Sequence, residues 1–305
     1  MVSFRYSAPI AAMIGMLLFS CAPEIKPLPS EDELKSSSSV IPTPPISSSS
    51  SKATQGGGQL AQLDVIIRDF SAPANSLGER QAAGYTGYYG FQEFDYSKST
   101  QQRECNANGA TKGMVKYTLD YSQCKAGEER RNCARPIPAD PPPEKMCYGK
   151  DLQNWYTDGE HTKTFHEIIT LTLKNGLYEI DTAGYFPLDK YPDSETFGKQ
   201  NSDGNGVRHN FGFTVAGSAE FKYMEGNNDN FFAFRGDDDM WMFIDGELVM
   251  DLGGVHQALS DSVNIDAVAS KRGWEDGSNH TINFFYAERQ TAASNLMLRF
   301  RLTGL

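Results

Sequence analysis

The chain has 305 residues, 39% hydrophobic and 11% aromatic, enough to bury one large core or two modest ones. A formal net charge of -11 leaves no basic footprint for nucleic acid or for an anionic lipid surface, so both are excluded as charge-driven partners. A cation or a neutral sugar remains compatible with that balance.

Residues 1–20 read as an export signal. Arg5 supplies the positive start, Ala11 to Phe19 form a short apolar run, and Leu18-Phe19-Ser20-Cys21 resembles a bacterial lipobox with Cys21 as the acylated residue. Two or more acyl chains on Cys21 would give stable anchoring. Ala22 after it resembles lipoproteins sorted to the outer membrane. Residues 21–58 then form a tether: serine runs at 36–39 and 47–51, Pro42-Thr43-Pro44-Pro45 and Gly56-Gly57-Gly58 lack the apolar groups that could offset ordering entropy. A disordered tether of this length reaches roughly 35 Å as a coil and over 100 Å when stretched.

Residues 59–305 carry the folded domain. Leu63 to Phe70 reads as its first strand, and Met114 to Tyr121 alternates loosely. Four cysteines, Cys105, Cys124, Cys133 and Cys147, fall in the proline-rich stretch 105–147, an even number that reads as two disulfides in an exported chain. Sequential pairing is the simplest of three connectivities, and a zinc site is the rival, poorly served by the spacing. Thr164 to Lys174 and Leu177 to Asp181 form a hairpin around Asn175-Gly176. Asn201 to Gly206 opens like an EF-hand loop, yet position twelve is Gly212 where a bidentate Glu is needed, which rejects that motif. Phe211 to Val215, Glu220 to Tyr223 and Asn230 to Phe234 continue the strands.

Residues 234–256 are the most informative stretch. Asp237, Asp238 and Asp239 run into Met240, Met242 and Ile244, which alternate with Trp241 and Phe243 as in a half-buried strand. Asp245-Gly246 marks a tight hairpin, Leu248 to Met250 the return, and Gly253-Gly254 a further turn before His256. Adjacent carboxylates repel unless something neutralises them, and oxygen ligands suit calcium. The alternative is a solvated acidic turn. Ala258 to Ala269 reads as a short helix or an irregular crossing, and Thr281 to Glu288 and Leu296 to Leu302 as the last strands. Frequent short strands point to an all-β, antiparallel β-sandwich.

Trp274, in a polar loop, is a candidate platform for a sugar ring, while Trp155 and Trp241 read as core. His209 and His256 sit at strand boundaries; Arg289, Gln290 and Asn295 flank the last loop, where they could bind a ligand or cap the sheet. No Gly-x-Ser-x-Gly elbow, phosphate loop or His-Glu-x-x-His helix is present.

The run Gly236-Asp237-Asp238-Asp239-Met240-Trp241-Met242-Phe243-Ile244-Asp245-Gly246 through His256 resembles the signature of the fibro-slime domain, a relative of the protective-antigen/flocculin-type β-sandwich. Asp64 to Phe70, Tyr185 to Asp189, His209 to Thr214, Phe285 to Arg289 and Ser294 to Leu296 fit the same pattern in order. The resemblance implies an extracellular module of fibre-degrading bacteria, and, through its lectin relatives, glycan binding assisted by calcium; the lack of a catalytic motif adds the expectation that the module is non-catalytic. Those relatives join two successive aspartates by a cis peptide bond; counting back from Asp245 places that pair at Asp237-Asp238, with Asp239 where a small residue is usual. The expectation is therefore a surface-displayed outer-membrane lipoprotein that adheres to cellulose or hemicellulose. Calcium would sit at Asp237, Asp238 and Asp239, and Trp274, His256, Arg289 and Asn295 would face the ligand. The competing expectation is a structural envelope protein that assembles with protein partners.

Overall fold

The computed structural model describes residues 60–71, 109–126, 128–140, 152–192, 200–202, 205–226, 230–289 and 293–302. The expected signal and tether, Cys21, Cys105, Cys147 and Gln290 lie outside the described residues.

Fourteen strands are formed among the described residues: β1 (Leu60–Phe70), β2 (Val115–Asp120), β3 (Arg135–Pro138), β4 (Thr162–Lys174), β5 (Leu177–Ala183), β6 (Gln200–Ser202), β7 (Arg208–Asn210), β8 (Phe213–Lys222), β9 (Phe231–Gly236), β10 (Asp239–Ile244), β11 (Glu247–Leu252), β12 (Leu259–Asn264), β13 (Asn279–Glu288) and β14 (Asn295–Arg301). Twelve of them make one antiparallel sheet in the order β12-β9-β14-β5-β4-β1-β8-β13-β10-β11-β2-β3, and β6 pairs with β7. Five strands separate β9 from β13 in that order, yet the Phe234 and Tyr286 rings are 6.3 Å apart. The sheet therefore curls over on itself into two packed layers, the expected sandwich.

Alternation explains the interior. On β1, Ala61, Leu63, Val65 and Ile67 point inward while Gln62 and Asp64 face solvent. They join Phe213, Val215, Phe232, Phe234, Met240, Met242, Ile244, Tyr286, Leu298 and Phe300 in the main core. A second core lies on the other face of β10 and β13, where Trp241, Phe243 and Phe285 meet Met114, Val115, Leu119, Leu152 and Trp155. Trp241, expected to be half-buried, is consequently fully enclosed. A segment far away in sequence covers its outer side.

Both tight hairpins form as their sequences dictate. Asn175 and Gly176 have φ of 52° and 78°, and Asp245 and Gly246 have φ of 53° and 80°, the paired left-handed conformations of a type I′ turn. Two expectations change. Residues 259–264 are strand β12 rather than helix, and the helix α2 (Ile265–Arg272) starts only at the Asn264 cap, whose side chain accepts from the Ala267 amide. Cys124 bonds to Cys133, closing the loop around the short helix α1 (Arg130–Cys133), so neither sequential pair forms.

Candidate functional site

One end of the sandwich gathers the polar groups. β9 runs into Asp237 and Asp238, β10 starts at Asp239, β13 ends at Glu288 next to Arg289, and β14 begins at Asn295. Registration brings them together: Asp239 faces Ala287 across the ladder, and Gly236 faces Leu296. The Asp237-Asp238 peptide bond is cis, at the pair that the resemblance singled out.

The three aspartates have different partners. Asp239 is fully buried and takes a two-pronged contact from Arg289, Nε to Oδ2 at 2.6 Å and a terminal nitrogen to Oδ1 at 3.0 Å, while the Gly254 amide donates to Oδ1 at 2.6 Å. A fork of this kind matches the guanidinium to the carboxylate and cancels its charge. Arg289 also lies over the Trp155 ring, 4.7 Å from its centre. Gly254 has φ of 94°, and a Cβ there would come within 2.8 Å of the Thr111 hydroxyl oxygen. The close turn thus requires glycine.

Asp237 and Asp238 are held by amide donors. Asp237 is gripped by Asn295, whose amide donates to Oδ1 at 2.6 Å and whose side-chain nitrogen donates to Oδ2 at 2.8 Å. Asp238 accepts the Arg289 backbone amide at 2.9 Å. Burial raises the Asp237 carboxyl above its usual range, against the pull of the Asn295 bonds. Burial pushes Asp238 up to about 7, with Arg289 opposing and the neighbouring aspartates adding. Glu288 rises well above the ordinary range, first through burial and then through the charges of Asp238 and Asp237. Its Oε2 accepts from the Tyr286 hydroxyl at 3.1 Å, and its enclosed Oε1 has no hydrogen-bond partner. Three carboxyls thus share a low-dielectric corner in which burial disfavours negative charge.

That corner suits a hard cation in part. Asp237 and Asp238 supply two carboxylates, and the enclosed Glu288 Oε1, without a hydrogen-bond partner, is a further oxygen in the same corner. No cluster of three or more His, Cys, Asp or Glu side chains among the described residues has the disposition of a metal cage. A cation here would complete its shell with carbonyl, amide or ligand oxygens. Asp239 belongs to Arg289, which narrows the expected acid triplet to a pair.

The other expected site residues divide. Asn295 and His256 are at this end; the imidazole interacts electrostatically with Asp237, and its nitrogens face the carbonyls of Gln257 at 2.9 Å and Leu252 at 3.2 Å. Arg289 is buried, with its guanidinium forked onto Asp239. Trp274 lies at the far end of β13, beyond His280, which is eight residues from Glu288, or roughly 26 Å of strand. There it is stacked on His280 at 3.5 Å and wedged between Phe221 and Tyr223. What the sequence does not show is that the segment with Thr111, Met114 and Trp155 lies over the outer face of Trp241.

Residues 228–304 match the family model of the PA14 domain. The PA14 match covers both aspartates, Glu288, Arg289 and Asn295. Two Dictyostelium discoideum relatives align with the chain: Protein psiR, 36% identical over 144 residues (44% of this chain, 13% of the relative), and Protein psiC, 34% identical over 134 residues (43% and 24%). This chain spans less than a quarter of the length of either. A PA14 sugar-binding domain from an RTX adhesin overlaps 43% of this chain and 67% of its own at 13% identity, with a TM-score of 0.22.

The far end holds a constellation that bears on catalysis. Asp245 Oδ2 contacts His280 Nδ1 at 2.7 Å, and His280 Nε2 contacts the Ser278 hydroxyl at 2.7 Å, an order familiar from acyl-transfer enzymes. Ser278, however, donates its hydroxyl to the Glu275 carbonyl at 2.6 Å. The Gly277 and Ser278 amides are bonded to Tyr223 and Glu275, so neither is left for an oxyanion. The cluster ties a turn to the β10–β11 hairpin.

Proposed function

We propose that this chain is a non-catalytic carbohydrate-binding module, held at the outer membrane through Cys21, displayed at the cell surface and adhering to plant-fibre polysaccharide with the help of calcium at Asp237 and Asp238. The observation that carries the reading is the buried pair Asp237 and Asp238, the first gripped by Asn295 and the second by the Arg289 amide, inside the stretch that matches the PA14 domain. The name of the RTX adhesin relative, a sugar-binding domain, agrees with it. Calcium bound there would offer open coordination positions to vicinal sugar hydroxyls, while Asn295 and the Arg289 amide hold the carboxylates in place. Asp238 and Glu288 are only 2% and 1% exposed, which suits a cation seat better than a pair of carboxyls reaching a glycosidic bond.

The test is retention of the full chain, purified in detergent, on insoluble cellulose and xylan, in calcium and in chelator, beside Asp238→Asn. Retention that needs both calcium and Asp238 supports the reading. Retention indifferent to both removes calcium from it, and no retention on any polysaccharide overturns it in favour of protein assembly at the envelope.

A further inference from the structure

The loop after β5 carries a flat aromatic surface that the acid pair leaves unexplained. Phe186 is half-buried, and the His209 imidazole lies parallel to it, centroid to centroid at 3.7 Å with planes 4° apart. Phe211, fully buried, meets Phe186 edge-on at 5.1 Å and His209 at 6.3 Å. Asp189 holds the imidazole through Oδ2 and accepts the Asn210 amide through Oδ1 at 3.3 Å, while 35% of its side chain stays exposed. The pair is therefore braced by a buried ring and a carboxylate. A surface that only needed to cover the core would not require so many fixings.

Its position follows from the bonds behind it. The Tyr185 amide donates to the Ser294 carbonyl at 2.8 Å, and the Ser294 hydroxyl donates back to the Tyr185 carbonyl at 2.8 Å. Tyr185 is followed by Phe186, and Ser294 by the Asn295 that grips Asp237. The loop that presents the aromatic pair is thus bolted to the loop that fixes the acid pair, at the same end of the sandwich. Gly184, with φ of 131°, turns β5 into that loop. Val207, 54% exposed, adds apolar surface just before the β7 strand that carries His209.

We propose that Phe186, backed by His209, is the platform on which a pyranose ring packs its C–H face while its hydroxyls reach the cation held by Asp237 and Asp238. This rests on the carbohydrate reading above and replaces Trp274 as the stacking residue. A rigid aromatic surface loses little freedom on binding, which favours it energetically over a mobile one. Asp189, at the edge of the pair, accepts a hydrogen bond from a sugar hydroxyl and orients the ring.

The experiment is calorimetric titration of the full chain in calcium with cellohexaose and with xylohexaose, for wild type, Phe186→Ala and Phe186→Trp, alongside a calcium titration of each. The expected result is at least tenfold weaker sugar binding in Phe186→Ala, retention in Phe186→Trp, and the same calcium affinity in all three. Should Phe186→Ala fail to fold, Phe186→Leu keeps the apolar bulk without the flat ring and is expected to weaken binding by the same order. Wild-type binding with no loss in the folded alanine or leucine variant overturns the platform alone. Absence of sugar binding by the wild type overturns the carbohydrate reading and the platform with it.

Discussion

Removing Arg289 is the sharpest test of how the site is held. Asp239 and Arg289 are both fully enclosed, and the carboxylate also accepts the Gly254 amide. Arg289→Met keeps much of the volume over Trp155 but leaves a buried charge unpaired. Breaking one side of such a pair typically costs about 3–5 kcal/mol, because the remaining charge keeps its desolvation penalty without its counter-ion. The backbone bond from residue 289 to Asp238 is not removed by the change. Guanidinium unfolding of wild type, Arg289→Met, Asp239→Asn and the double variant measures the effect. The double variant is expected to be more stable than the sum of the single losses by about 2 kcal/mol, since it removes the orphaned charge. Single losses under about 1 kcal/mol, or losses that simply add, would refute this reasoning.

Three further outcomes are expected. In chelator, Asp238 binds a proton in the folded state at pH values where the unfolded chain has released it, because its folded pKa of about 7 lies above the ordinary 3.8. Its contribution to stability therefore falls as pH rises from about 4 to 7 and then levels, by on the order of 4 kcal/mol; the gap in unfolding free energy between Asp238→Asn and wild type should grow over that window, and a flat difference would contradict the burial argument. Calcium at a hundredfold excess over its Kd should stabilise wild type by about 2.7 kcal/mol and Asp238→Asn by much less, read as a shift in thermal midpoint. Gly254→Ala places a methyl against Thr111 in a left-handed turn and should cost about 1–3 kcal/mol, measured by the same unfolding curves.

Much of the sheet is legible in the chain because its signals are local. The Asn175-Gly176 and Asp245-Gly246 turns, and the alternation of Leu63, Val65 and Ile67, need no distant partner to be read. The acid pair is legible only through a resemblance, since three consecutive aspartates look alike until one of them is shown to face an arginine fifty residues away. Trp274 reads as a loop platform because its neighbours in sequence are polar; in space it is half-buried against Phe221, Tyr223 and His280. Strand β12 is missed because Ser260, Asp261 and Ser262 carry no apolar alternation; its ladder with β9 holds it in place. The Cys124–Cys133 bond closes a loop of separation 9, shorter than either sequential alternative, and spacing alone does not choose among the three connectivities.

The placement of β1 sets a schedule for assembly. The first strand of the sheet pairs with β4 on one side and β8 on the other, so its earliest partner begins at Thr162. Until the segment that starts at Thr162, about ninety residues beyond Phe70, has docked, both edges of a strand bearing Leu63, Val65 and Ile67 stand open. Closure must wait for contacts of long sequence separation, which makes for slow folding. Until then the nascent chain offers a sticky β-edge, and whatever shields that edge in the cell governs how much protein reaches its native form.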